Sequence, residues 1–360
     1  MKKIYDNTYK YTTIFDPNTG FYARAFDVDF EPFMAEAPHL VDIGIMGSCV
    51  SGREGFCRKA GIQCYQNAPN SCKSNMTFEN YKRIIDEVPT LTQVALGGAG
   101  DPDTHENFEE ILAYTREKGI VPNFTSSGIL MTPEKAKICK KFTGAVAISS
   151  YSRLKSDMTE SNTVTNNAID MLIDAGVKTS MHFVLGNNTI DEAIIRLKNN
   201  LFPEGLNAVI WLLHKNVGMG SDANVLKYDD PRVAEFFSLI DNNDFPFKIG
   251  LDSCSMSGLI NFCKNIDFHS CDTCEGGRYS MYISADMVAY PCSFDNQDKV
   301  YAYQMDENHG VIDAWNSEQF ERFRSHLRNS CPNCAKRNEC MGGCPLRKNI
   351  VLCNDKNRSF

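Results

Sequence analysis

The chain has 360 residues, 42% of them hydrophobic and 23% charged, with a formal net charge of −8. At roughly 150 residues per domain this length suggests two domains. No block of like charges offers a nucleic-acid footprint. No run approaches the ~20 apolar residues of a membrane span, and the opening MKKIYDNTYKYTTIFDP lacks the apolar core of a secretory signal. A cytoplasmic protein with no nucleic-acid or membrane partner is therefore expected.

Residues 1–40 are polar and aromatic without a clear period and read as an extension wrapping the core. From residue 41 an alternation begins. Apolar runs that suit buried strands are Val41–Met46, Gln93–Leu96, Val121–Thr125, Ala145–Ser149, Ser180–Leu185 and Ala208–His214, with Phe247–Leu251 as a seventh. Helical patterns lie between them. Thr77–Val88 and Thr132–Lys141 open on threonine caps, the second with proline in the first turn. Asn107–Lys118, Asn166–Ala175 and Thr189–Asn199 place apolar residues at helical spacing. Strands alternating with single helices predict a parallel sheet of right-handed βαβ units. Six units make an α/β fold, a partial (β/α)6 TIM-like barrel over 41–252, with ligands at the C-terminal strand ends. After about residue 253 cysteines become dense and helices scarce, apart from Ser317–Arg328. Residues 253–360 are thus expected to form a second, partly metal-held domain.

Fifteen cysteines require an explanation. A reducing compartment argues against a disulfide framework. Cys139, Cys254 and Cys263 stand alone and read as buried thiols. The C-terminal group is too regular for that. Cys331 and Cys334 are separated by two residues; Cys340, Cys344 and Cys353 follow after gaps of five, three and eight. Upstream stand Cys271, Cys274 and Cys292. A two-residue gap lets two thiolates bite one metal or cluster, in zinc and in iron–sulfur sites alike. Gly342 and Gly343 would let backbone amides approach cluster sulfurs.

The order C-x2-C-x5-C-x3-C with a later cysteine, preceded by Cys274, twelve residues, Met287, four residues and Cys292, resembles the SPASM signature. Met287 replaces the family's glycine at a turn. Trp315-Asn316 and Phe320-x-x-Phe323-Arg324 also resemble that domain. The resemblance implies two auxiliary [4Fe-4S] clusters. Cys274, Cys292 and Cys344 would hold the first, with Cys271 as fourth ligand; Cys331, Cys334, Cys340 and Cys353 would hold the second.

The first strand runs into Gly47-Ser48-Cys49, with Cys57 and Cys64 following and Tyr65-Gln66-Asn67 after them. Three cysteines on the loop after the first barrel strand resemble the radical S-adenosylmethionine (SAM) superfamily. The spacing is C-x7-C-x6-C rather than the family's C-x3-C-x2-C, and Gln63 stands where an aromatic residue is usual. The resemblance implies a catalytic [4Fe-4S] cluster on Cys49, Cys57 and Cys64, one iron being left for SAM. Cys72 reads as a nearby thiol.

Further SAM contacts are implied at the strand ends. Gly97 and Gly98 match a Gly-Gly-acid-Pro motif, with Asp101 as the shifted acid. Ser126 and Ser127 resemble the region near the SAM carboxylate. Ser149 and Ser150 would meet the ribose hydroxyls, and Arg153 the carboxylate. His182 and Asn187 would face ribose or adenine. His105, His214 and Lys215 are weaker candidates. Asp295, just after Cys292, is a candidate general base near the substrate.

The resemblance covers roughly residues 41–353 and implies a 5′-deoxyadenosyl radical that abstracts hydrogen, most often from a peptide or protein, with electrons from a flavodoxin or ferredoxin. About 40 residues before the first strand are too few for a peptide-recognition domain, so such a module is expected to be separate or absent. A small-molecule oxidoreductase is the second reading. A non-radical iron–sulfur electron carrier or zinc-stabilised scaffold is the third.

Overall fold

The computed structural model describes residues 1–18, 20–26, 33–266 and 271–354. The chain opens with an antiparallel meander: β1 (Lys2–Asp6), β2 (Tyr11–Phe15) and β3 (Tyr22–Phe26). The lack of a clear period in residues 1–40 gives no sign of these strands. Tyr11, Thr13 and Phe15 alternate with half-exposed neighbours along β2, and that alternation buries one face. Tyr11 donates toward His39 Nε2 at 3.2 Å, and Tyr22 pairs with His39 Nδ1 at 2.7 Å. Arg24 lies 4.1 Å over the ring of Tyr279. The meander is thus pinned to both halves of the chain.

Seven parallel strands follow: β4 (Leu40–Met46), β5 (Gln93–Gly98), β6 (Val121–Ser126), β7 (Val146–Ser149), β8 (Thr179–Leu185), β9 (Ala208–Leu213) and β10 (Lys248–Leu251). They pair in chain order. Two short helices, α1 (Val50–Arg53) and α2 (Phe56–Lys59), interrupt the loop after β4. The crossovers carry α3 (Phe78–Glu87), α4 (Phe108–Glu117), α5 (Pro133–Phe142), α6 (Val164–Asp174), α7 (Ile190–Asn199) and α8 (Pro231–Asn242). Threonine caps start two of them: Thr77 Oγ1 accepts from Asn80 N at 3.2 Å, and Thr132 Oγ1 from Lys135 N at 3.3 Å. Each such cap stabilises by about 1 kcal/mol. Helix α8 was passed over in the sequence reading, although Asp230-Pro231 caps it and Val233, Phe236, Phe237 and Ile240 line its buried face.

β10 does not close onto β4, so the barrel is open. Instead β11 (Ser280–Ile283) pairs in parallel with the free edge of β4, and β12 (Val288–Tyr290) and β13 (Tyr303–Gln304) continue the sheet antiparallel. One ten-stranded sheet therefore runs through the barrel and the C-terminal region. Met287, at the turn before β12, has φ of 58°. A glycine at that position would adopt this left-handed backbone without the strain a side chain brings.

The remaining helices are α9 (Met256–Phe262), α10 (Val311–Trp315), α11 (Glu318–Asn329) and α12 (Arg337–Cys340). The Glu87 carboxylate at the end of α3 accepts from Val311 N at 2.9 Å and Ile312 N at 3.0 Å, capping α10 from the barrel side. Trp315 donates its indole N–H to Ala35 O at 3.2 Å. Trp211 is fully buried between Phe183 and Phe236, each ring 5.1 Å away. Side chains of this size contribute about 1.5–3 kcal/mol each on burial. Among the described residues, no helix is long and apolar enough to cross a membrane.

Candidate active site

The C-terminal ends of β4 to β7 form the first half of the site. Cys49 caps α1, its sulfur accepting from Gly52 N at 3.1 Å. Cys57 lies on α2 and takes a hydrogen bond from the Tyr151 hydroxyl. Cys64 sits where the backbone N–H groups of Gln66, Asn67 and Ala68 point at its sulfur. Burial pushes all three thiols up; Cys64 adds its negative charge to Cys49 and Cys57, Cys49 adds its own to Cys57, and Cys57 is pushed up to about 11. A bound cation such as cluster iron would favour the thiolate form of all three. The longer spacing expected from sequence is absorbed by α1 and α2, which fold the loop back on itself. Cys72 is exposed and forms a backbone bridge with Ser48.

The β5 end supplies the cradle. Gly98 has φ of +112°, and a methyl group there would lie 2.5 Å from Met46 O. Only glycine lets the first two loops come this close. At Gly97 a methyl group would meet no atom within 4 Å, which is room for a ligand. Asp101 adds its charge to Cys49, Cys57 and Cys64, so it borders the cysteine loop. Its carboxylate accepts from Ser127 N at 2.7 Å and from Ser127 Oγ at 2.6 Å. Burial pushes it above the usual carboxylate range.

Ser150 is buried, and among the described residues its hydroxyl has no hydrogen-bond partner. A buried orphan hydroxyl costs about 1–3 kcal/mol, and a polyhydroxyl ligand such as ribose would satisfy it. Neighbouring Ser149 ends β7 beside His182 on β8. His182 is held neutral by burial, its pKa lowered to about 4. The open glycine at 97, the free hydroxyl at 150 and the three thiols together fit SAM on an iron–sulfur cluster.

Several expected contacts are spent elsewhere. Ser126 donates to Asp103 Oδ1 at 2.7 Å and accepts from Gly128 N, so it shapes the β6 turn. Asp103, missed in the sequence reading, is buried and also pairs with Lys135 at 3.1 Å. Arg153 donates to the carbonyls of Ser150 and Ser152 at 3.1 and 2.9 Å. Asn187 is exposed, donating to Ala223 O at 3.1 Å and accepting from Arg232, which clips two loops together. His105 is buried with both ring nitrogens engaged, by Met76 O and Asn107 N. His214 bonds Ser221 O at 3.0 Å.

Asp295 is corrected as a candidate base. It is fully buried, and its two oxygens accept from Val300 N at 2.9 Å and Tyr301 N at 2.7 Å. It organises the loop after Cys292. Tyr151 was missed in the sequence reading: it is the residue after Ser150, and only the fold brings it to Cys57.

The C-terminal cysteines divide into two groups. Cys340 is pushed up to about 11 by burial and then by Cys353, Cys331 and Cys334, while the Gly342 amide donates to it. That is the set expected for the second auxiliary cluster. Cys344 raises Cys274, and both raise Cys292; all three line a cavity of about 210 Å³ that Cys340 and Cys254 also border. Cys271 does not line that cavity; its charge is felt at Cys263 instead. Among the described residues no three such side chains are close enough to hold a single metal ion. An iron–sulfur cube holds its thiolates farther apart than one ion does.

The family model for the SPASM iron–sulfur cluster-binding domain matches residues 274–341. The mycofactocin maturase MftC of Mycolicibacterium smegmatis is 22% identical over 322 residues, covering 81% of this chain and 76% of that protein. MftC of Mycobacterium tuberculosis is 24% identical over 324 residues, with the same coverage. Among solved structures, Streptococcus suis SuiB bound to its precursor peptide SuiA superposes with a TM-score of 0.64 at 14% identity, over 91% of this chain and 77% of that one. The anSMEcpe enzyme with bound AdoMet gives a TM-score of 0.59 at 14% identity, over 89% of each chain. These likenesses converge: residues 274–341 match the SPASM iron–sulfur cluster-binding domain, and the chain as a whole is similar in sequence to the MftC maturases and in fold to SuiB and anSMEcpe.

Proposed function

We propose that this enzyme cleaves SAM reductively and modifies a peptide or protein by radical hydrogen abstraction. The observation that carries this reading is the convergence of Cys49, Cys57 and Cys64 at the barrel mouth, beside the open Gly97 and the orphan Ser150 hydroxyl. Relatives support the substrate class: MftC is a maturase, and SuiB has been crystallised with a precursor peptide. When bound, the cluster and SAM supply a 5′-deoxyadenosyl radical.

The chain's own residues position and protect. Gly97 and Gly98 would leave room for SAM against the backbone. Asp101 holds Ser127 in place and would offer its carboxylate to the SAM amino group. Ser150 and Ser149 would hold the ribose hydroxyls, with neutral His182 beside Ser149 adding no charge. Tyr151 holds the Cys57 sulfur by hydrogen bond. Arg153 orders the Ser150 loop through its carbonyls rather than meeting the SAM carboxylate.

The fuller reading is one catalytic and two auxiliary [4Fe-4S] clusters, with Cys331, Cys334, Cys340 and Cys353 holding the second auxiliary one. A flavodoxin or ferredoxin in the cytoplasm supplies the electrons. Anaerobic reduction with SAM, followed by chromatography, tests the activity without a known substrate. Formation of 5′-deoxyadenosine is expected. Its absence from protein with a full iron content would refute the reading.

A further inference from the structure

Five cysteines line one cavity: Cys274, Cys292 and Cys344, Cys340, which is coupled to Cys331, Cys334 and Cys353, and Cys254, which precedes the SPASM match. Cys254 lies on a single turn, Ser253–Ser255, directly after β10 at the edge of the barrel. The turn is held firmly. Asp252 Oδ1 accepts from Ser255 Oγ at 2.8 Å, and Oδ2 accepts from Leu213 N at 3.1 Å and from Lys215 Nζ at 2.5 Å. Leu352, after the second cysteine run, donates its N–H to Ser257 Oγ at 2.9 Å and so clamps α9 from the other side. Cys254 therefore lines the cavity from a fixed backbone.

Cys254 also lies within electrostatic reach of Lys215, Asp252, Cys344 and Cys292. Cys271, the fourth ligand expected from sequence, follows the undescribed residues 267–270 and packs against the main core beside Cys263.

We propose that Cys254 is the fourth thiolate of the first auxiliary cluster, completing the set of Cys274, Cys292 and Cys344. The proposal rests on the reading that an iron–sulfur cluster occupies this cavity. On ligation the thiol gives its proton to solvent and its sulfur bonds iron, with no electron transferred. The bond joins the last barrel strand to the C-terminal domain. It also sets the buried Lys215 ammonium beside the cluster, where a cation stabilises the reduced, more negative form.

The test uses the full chain with Cys49, Cys57 and Cys64 all replaced by alanine, so that only auxiliary iron remains. After anaerobic reconstitution this parent should hold about eight irons. In that background Cys254→Ala should either lower iron to about four, or keep the cube on three thiolates and give a reduced EPR spectrum that shifts when an external thiol is added. Cys254→Ser, which keeps the volume, should retain its fold by circular dichroism and alter the same spectrum. Cys271→Ala should match the parent in both measures. A Cys254→Ser protein with the parent's iron content and spectrum would overturn the assignment, as would loss of a cluster in Cys271→Ala alone. A parent without auxiliary iron would refute the cluster reading itself, and that failure shows before any change at Cys254.

Discussion

Lys215 places its ammonium 2.5 Å from the Asp252 carboxylate and 4.5 Å over the Phe294 ring, inside the cavity lined by Cys274, Cys292 and Cys344. A buried cation here favours an extra electron on a cluster held by those cysteines. Lys215→Met should therefore move the midpoint potential of one auxiliary cluster to a more negative value. Redox titration followed by EPR measures this, and an unchanged midpoint would contradict the electrostatic role.

Gly98 and Gly97 should respond differently to the same added methyl. At Gly98 the methyl meets Met46 O at 2.5 Å on a backbone with φ of +112°. Gly98→Ala should cost about 1–3 kcal/mol of stability and weaken SAM binding. Gly97→Ala has space for its methyl within the protein. It should leave the melting temperature unchanged and still weaken SAM binding, because the methyl enters the ligand's space. Calorimetry and equilibrium dialysis separate the two effects.

Asp295 is expected to act on stability rather than on chemistry. Asparagine keeps one acceptor oxygen but turns an N–H group toward Val300 N or Tyr301 N. The Asp295→Asn protein should lose ~1–3 kcal/mol, with turnover per folded molecule little changed. A stable variant with abolished turnover would restore the general-base role.

The contrast between Asp295 and the cysteines shows what was legible in sequence. The strands of the barrel could be read because a buried parallel strand is apolar on both faces, as in Val41–Met46. The cysteine runs could be read because ligand spacing is local. Asp295, Ser126 and Asn187 stand at expected places, but their partners are brought in by the fold: Tyr301, Asp103 and Arg232. The same holds for Cys254, which stands alone in sequence and meets its companions only across the barrel edge. The N-terminal meander escaped notice because threonine and lysine occupy positions that a strand pattern reserves for apolar residues.

His39 links the meander to the barrel and should make stability depend on pH. Burial, and then the positive charge of Arg24, lower its pKa to about 4, against an ordinary 6.5 in the unfolded chain. Between these values the unfolded chain binds the proton more tightly. The stability contributed by neutral His39 is thus complete above pH 6.5 and is lost as pH falls toward 4. His39→Gln should flatten that slope relative to wild type, measured as denaturant midpoints across this range under anaerobic conditions. Parallel slopes would contradict it.

The central claim is that Cys49, Cys57 and Cys64 hold one cluster with a corner open to SAM. The most direct measurement is the EPR spectrum of the dithionite-reduced protein with and without SAM, in wild type and in Cys57→Ala. SAM should shift the signal of a single cluster in wild type. That cluster, and the response to SAM, should be missing in Cys57→Ala, with the auxiliary signals retained. A wild-type spectrum indifferent to SAM, or a Cys57→Ala spectrum that still responds, would contradict the account.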